Sequence, residues 1–191
     1  MRICGLDEAG RGPIAGPIVA AAVTLNPKSQ ISNLKDSKKL NKNQREKLYK
    51  EIVESGAEIY IEVVSVRQIN NRGIGWANKE IFKRLIRKIE ADKYIVDGNL
   101  KVKVNGKSKK IKSIIKADNS RKCVMAASIA AKVERDRLMK QLHDEHPTYN
   151  WQTNAGYGTR SHIEAIKEFG MVKYHRTVFV TTALSRYRTF E

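Results

Sequence analysis

The chain opens with two apolar runs separated by a polar, glycine-rich break. Residues 2–7 (RICGLD) predict a strand, and "GPIVAAAVTL" from Gly16 predicts a second, buried one, so the start reads as a hairpin. From Asn41 to Ser55, "NKNQREKLYKEIVES" has helical composition with Leu48, Ile52 and Val53 on one side, and "AEIYIEVVSV" then alternates as a strand. Between Trp76 and Ile89, Phe82, Leu85, Ile86 and Ile89 share the apolar face of an amphipathic helix. "KYIVDGN" predicts a strand ending at Asp97. "KVKVNGKSKKIKSII" alternates around Asn105-Gly106, which predicts a lysine-rich hairpin ribbon.

A long helix is expected from Ser120 to about His143, with Asn119 or Ser120 as its cap and Ala126, Ala127, Ala130 and Ala131 permitting close packing. Gly156 to Gly158 interrupts the pattern. Arg160 to Phe169 predicts a further helix with Ile163, Ile166 and Phe169 together. Strands come first, helices interleave, and helices dominate the last quarter. The expected class is therefore α/β or mixed, with no internal repeat or low-complexity linker.

Composition adds a partner and a compartment. The 191 residues suffice for one sizeable core, so a single domain over 1–191 is expected, with 144–191 as a helical C-terminal extension. Lys and Arg number 37 against 20 Asp and Glu, and the net charge of +17 points to a polyanionic partner. Cys4 and Cys123 are too few for a disulfide framework or a cysteine zinc site, which suits a reducing cytoplasm. Neither a secretory leader pattern nor a membrane-length apolar run is present, so a soluble intracellular protein, acting as a monomer, is expected.

Acids sit where strands end: Asp7 and Glu8 close the first, Asp97 closes "YIV", and Asp118 stands at a strand-to-helix boundary. Desolvating a carboxylate costs several kcal/mol unless a positive charge compensates it. Oxygen donors without accompanying Cys or His favour a hard cation, Mg2+ or Mn2+, over zinc. Such clusters support phosphoryl transfer with two ions about 3.5–4 Å apart; the bland alternative is a set of turn and cap acids. Adjacent strand residues point to opposite faces, so Asp7 and Glu8 reach one ion only if the chain turns away at Glu8, a departure that Gly10 and Gly12 would allow.

The loop after these acids, "AGRGPIAGP", can offer backbone N–H groups to a phosphate, with Arg11 adding charge, although it lacks the ending of a P-loop. In order along the chain, "DEAGRGPIAGPIVAAAV", "DSKKL", "IVDGN", "KADNS", "AASIAAKVERDRLM" and "GYGT" resemble the ribonuclease HII family, a type 2 ribonuclease H. The resemblance implies a ribonuclease H-like mixed sheet flanked by helices with a small helical C-terminal extension. It further implies a metal-dependent endonuclease acting on RNA–DNA hybrids and on ribonucleotides embedded in duplex DNA. In that family the acids matching Asp7, Glu8, Asp97 and Asp118 form the metal site, the segment matching Gly10-Arg11-Gly12 recognises the ribonucleotide, and the tyrosine matching Tyr157 packs at the RNA-to-DNA junction. Ser37, Lys38 and Lys39 stand in a family-like motif and are candidates for phosphate contact.

Other residues carry weaker expectations. Asp136, between Arg135 and Arg137 in a helix, reads as a structural ion-pair member, and His143 and His146 as surface histidines. The lysine-rich 101–116 stretch either binds the duplex backbone or protects a sheet edge. Ala155, Thr177 and Val178 depart from the family's usual basic and serine residues, so the resemblance does not carry contacts over to those positions. A non-catalytic nucleic-acid-binding module is the competing reading, and ribonuclease HIII is disfavoured by the GRG loop and Tyr157.

Overall fold

The computed structural model describes residues 1–27, 31, 34, 37, 40–107 and 110–188. Five strands form one mixed sheet in the order β3-β2-β1-β4-β5, with β1 at Ile3–Ala9, β2 at Ile18–Thr24, β3 at Glu58–Val64, β4 at Lys93–Asp97 and β5 at Ile111–Ile114. β1, β2 and β3 form an antiparallel meander, whereas β4 and β5 join β1 in parallel. The parallel half needs a crossover, supplied by α2 (Val66–Arg72) and α3 (Ile74–Lys88). α3 presents Ile81, Phe82, Leu85 and Ile86 to Cys4, Leu6, Ala20 and Ala22 on one sheet face.

The opposite face is covered by α1 (Lys42–Glu54) and α4 (Lys122–Glu145), through Leu48 and Ile52 of the first and the alanine pairs of the second. α4 lies unusually close to β1. A Cβ on Gly5 would meet the backbone carbon of Cys123 at 2.3 Å, so glycine there lets the helix start rest on the sheet. That approach brings the segment before α4, which carries Asp118, over the end of β1.

A third apolar cluster joins Ile14 and Met139 to Trp151, Ile163, Ile166 and Val180 of α5 (Trp151–Asn154), α6 (Arg160–Phe169) and α7 (Thr177–Arg188). None of the helices, among the described residues, is long and apolar enough to cross a membrane.

Several expectations change. The lysine ribbon is not a hairpin: Val102 and Val104 are buried against the α3 core instead of pairing, and only Ile111–Ile114 forms a strand, parallel to β4. Lys107, turned inward, donates to the carbonyls of Ile86 and Ile89. α4 begins one residue after Arg121 without a side-chain cap, so neither Asn119 nor Ser120 caps it. Val53 and Phe169 are exposed, off the apolar faces of their helices. His143 and His146 are half-buried, His146 edge-on to Trp151 and Tyr174. Asp136 is an ion-pair member as expected, but its partners are Lys132 at 2.6 Å and Arg45 at 3.6 Å, not its sequence neighbours.

Candidate active site

The carboxylates meet because of strand register. β1 and β4 run in parallel with Leu6 opposite Val96, so the next residues, Asp7 and Asp97, are neighbours on the same face at the strand ends. Asp97 Oδ1 accepts the Ala117 N–H at 2.7 Å, which ties the following turn (Ala117–Asn119) to the strand and delivers Asp118. Asp7, Asp97 and Asp118 each bring a carboxylate oxygen within 4.8 Å of the others. Asp7 and Asp118 are buried.

Glu8 does not join that trio. Contrary to the expected turn at Glu8, the β1–β2 ladder continues through Glu8 opposite Ala20 and Ala9 opposite Val19, so the strand stays regular past Glu8. The chain turns instead at Gly10, whose φ is +94°. Glu8 still lines the same cleft, with Arg11 Nη1 3.4 Å from its Oε1.

Electrostatics favour a cation. Burial, then the charges of Glu8 and Asp97, push the Asp7 carboxyl well above its usual range, against a hydrogen bond from Ser128. Burial also raises Glu8, opposed by Arg11. A group of hard oxygen donors that resist sharing their negative charge fits a divalent ion such as Mg2+ or Mn2+.

The same cleft is lined by Gly10, Arg11, Gly12 and Tyr157. Tyr157 is half exposed, and a Cβ on Gly12 would lie 3.7 Å from its Cε1, so the glycine loop and the tyrosine form one wall. Ser37 is buried, with its Oγ 2.8 Å from the Oγ of Ser128, the hydroxyl that hydrogen-bonds Asp7. Lys38 and Lys39 lie outside the described residues. Sequence reasoning missed Arg45, Ser128, Lys132 and Arg135, which also line the cleft. Three of them sit at i, i+4 and i+7 on α4, a polar stripe in an alanine-rich buried helix, which was the available signal.

Comparison with known proteins settles the family. The family model for ribonuclease HII matches residues 4–182. The chain belongs to the ribonuclease HII family. Ribonuclease HII from Wolbachia sp. subsp. Drosophila simulans (strain wRi) is 44% identical over 180 residues, covering 93% of this chain and 89% of the relative. That from Clostridium perfringens (strain SM101 / Type A) is 39% identical over 187 residues, covering 95% and 68%. Among solved structures, ribonuclease H2 from Pyrococcus horikoshii OT3 superposes with a TM-score of 0.79 at 27% identity, covering 98% of this chain and 99% of that one. Bst-RNase HIII, solved in complex with Mn2+, shares the fold with a TM-score of 0.71 at 21% identity, covering 97% and 70%. Ribonuclease HII proteins are metal-dependent endoribonucleases that cut RNA–DNA hybrids, and the Asp7, Asp97 and Asp118 cluster suits that activity.

Proposed function

We propose that this cleft hydrolyses the phosphodiester 5′ of a ribonucleotide, in an RNA–DNA hybrid or at a single ribonucleotide within duplex DNA, leaving 3′-hydroxyl and 5′-phosphate ends. The observation that carries the reading is one cleft shared by the acids and the Gly10–Gly12/Tyr157 wall. Asp7, Glu8, Asp97 and Asp118 would hold two divalent ions, Mg2+ or Mn2+. When bound, such ions supply Lewis-acid stabilisation of the attacking and departing oxygens of an in-line displacement.

The chain's own groups then divide the remaining work. The 2′-hydroxyl is the local group that distinguishes ribose from deoxyribose, and the turn at Gly10 with bare backbone at Gly12 lets donors approach it closely. Arg11 holds the neighbouring phosphate through its guanidinium. Tyr157 lays its ring against the sugar at the RNA-to-DNA junction. Ser37 orients Ser128, which hydrogen-bonds Asp7, and Lys38 is assigned to a backbone phosphate. The +17 charge draws in the duplex, so affinity falls as salt rises. The functional unit is taken as a monomer with one catalytic domain over 1–191, its 144–191 extension carrying Tyr157.

The test compares duplexes holding one and four consecutive ribonucleotides, in Mg2+ and in Mn2+. Cleavage of both is expected, and none without a divalent ion. Cutting of the longer run alone would remove single-ribonucleotide recognition from the account.

Gly12 offers a separate check. Its φ lies outside the left-handed region and the protein leaves room for a Cβ, so Gly12→Ala should change stability by less than about 1 kcal/mol. It should raise KM for the single-ribonucleotide duplex by about tenfold or more, because the methyl fills the approach to the ribose. Gly10→Ala should instead lower the melting temperature, since its Cβ would meet Arg135 Nε at 2.0 Å. Thermal melts and steady-state kinetics of the two variants separate these outcomes.

A further inference from the structure

Two buried arginines grip the glycine loop from behind. Arg176, fully buried, donates from Nη2 to the Gly10 carbonyl at 2.6 Å, from Nη1 to that of Arg11 at 2.9 Å and from Nε to that of Gly16 at 2.9 Å. Arg135, also buried, donates from Nε to Pro17 at 3.1 Å, from Nη2 to Ala15 at 3.3 Å and from Nη1 to Ala155 at 3.0 Å. Among the described residues, no carboxylate lies within ion-pair distance of either guanidinium. Burial pushes both down, Arg176 to about 9 with Arg135 contributing. Two like charges held in an interior by backbone carbonyls, with the Phe179 ring 5.4 Å from the Arg176 guanidinium and no carboxylate in ion-pair contact, are an expensive arrangement.

Its geometric consequence lies on the other side of each peptide. A trans peptide is planar, with its N–H opposed to its C=O. Fixing the Gly10 and Arg11 carbonyls on one guanidinium therefore aims the N–H groups of Arg11 and Gly12 away from it, side by side. Arg11 and Gly12 are exposed and line the cleft, and no acceptor among the described residues takes either N–H. Consecutive outward N–H groups make a concavity for an anion or a hydroxyl oxygen.

We propose that Arg176, braced by Arg135, is a positioning residue that sets the peptide orientation at Gly10–Gly12 and thereby the discrimination of ribonucleotide from deoxyribonucleotide. The inference rests on the ribonucleotide-cutting reading above. Lysine cannot replace it, because one ammonium lacks the planar fork that spans three carbonyls. The positive charge of the pair, offset by Asp136 only from beyond ion-pair distance, adds long-range attraction for the duplex.

The experiment compares Arg176→Lys with wild type on a single-ribonucleotide duplex, with an all-DNA duplex as competitor. Circular dichroism and the rise in melting temperature on adding Mn2+ report an intact fold and acid cluster. The variant should show KM raised about tenfold or more with kcat within about threefold, and inhibition by the all-DNA duplex should change less than KM does. A folded variant with wild-type KM and wild-type discrimination overturns the proposal, as does a loss of kcat at unchanged KM. Should the variant fail to fold, amide exchange in the wild-type protein decides. The Arg11 and Gly12 amides should exchange freely in the free protein and slow when the duplex binds without divalent ions; protection in the free protein overturns the proposal. Wild type that does not cleave the duplex would instead overturn the functional reading, leaving amide exchange to judge the loop.

Discussion

Asp97→Asn is expected to abolish cleavage, by about a thousandfold or more, while leaving the fold intact. Losing one anionic ligand removes several kcal/mol of transition-state stabilisation, and each 1.36 kcal/mol is about tenfold in rate. The fold survives because the asparagine Oδ1 can still accept the Ala117 N–H that Asp97 accepts at 2.7 Å. Rates on a single-ribonucleotide duplex, with thermal melts of both proteins, check the two halves of the expectation. Retained activity would remove Asp97 from the metal site.

The same cluster makes stability depend on pH. Asp7 holds its proton in the folded chain to higher pH than the ordinary carboxyl value of 3.8, because burial and the neighbouring carboxylates disfavour its charge. The folded state thus binds more protons than the unfolded one above that value, and stability falls as pH rises through the interval up to the raised value. Mn2+ or Mg2+ should reverse the trend, raising the melting temperature more at alkaline than at acid pH. Melting Asp7→Asn without divalent ions should show the decline flattened; an unchanged decline would locate it elsewhere.

Trp151→Ala should cost about 3–5 kcal/mol, a large share of the 5–15 kcal/mol typical of a domain. Trp151 is fully buried, stacks on Tyr149 with ring centroids 5.1 Å apart, and donates its Nε1–H to His162 Nε2 at 3.0 Å. His162 Nδ1 lies 2.8 Å from the Tyr157 carbonyl, and its Nε2 lies 3.2 Å from His175 Nε2. With Nδ1 protonated, His162 donates to Tyr157 and accepts from both Trp151 and His175, so the deletion also loosens the tyrosine that faces the cleft. Burial holds His162 below its usual value and His175 at about 4, which keeps the pair neutral near pH 7. Urea titrations of Trp151→Ala and Trp151→Phe check this: the phenylalanine variant keeps most of the packing and should lose only about 1 kcal/mol from the missing hydrogen bond. Equal losses would place the contribution in the hydrogen bond alone.

The strands of the meander, the long alanine-bearing helix and the position of each acid at a strand end were legible because they rest on local period and composition. Whether the acids met was not, since it depends on the β1–β4 register and on how closely α4 approaches Gly5, both set by distant residues. Glu8 illustrates the limit. Alternation points it away from Asp7 and the ladder to β2 continues through Ala9, yet its carboxyl shares the cleft of the acids, which is a tertiary fact. The lysine ribbon failed for a related reason: Asn105-Gly106 is a genuine turn signal, but burial of Val102 and Val104 under α3 outweighed strand pairing. Arg135 and Arg176 were invisible as site residues because their partners are carbonyls more than a hundred positions away for Pro17, Ala15, Gly10 and Arg11.

The most direct measurement maps the ends produced by wild type from a duplex with one ribonucleotide in Mn2+. A single cut is expected on the 5′ side of the ribonucleotide, with a 3′-hydroxyl that a polymerase extends and a 5′-phosphate on the downstream piece. A 2′,3′-cyclic phosphate would contradict it, because the ribose hydroxyl, and not water delivered at the acid cluster, would then be the nucleophile.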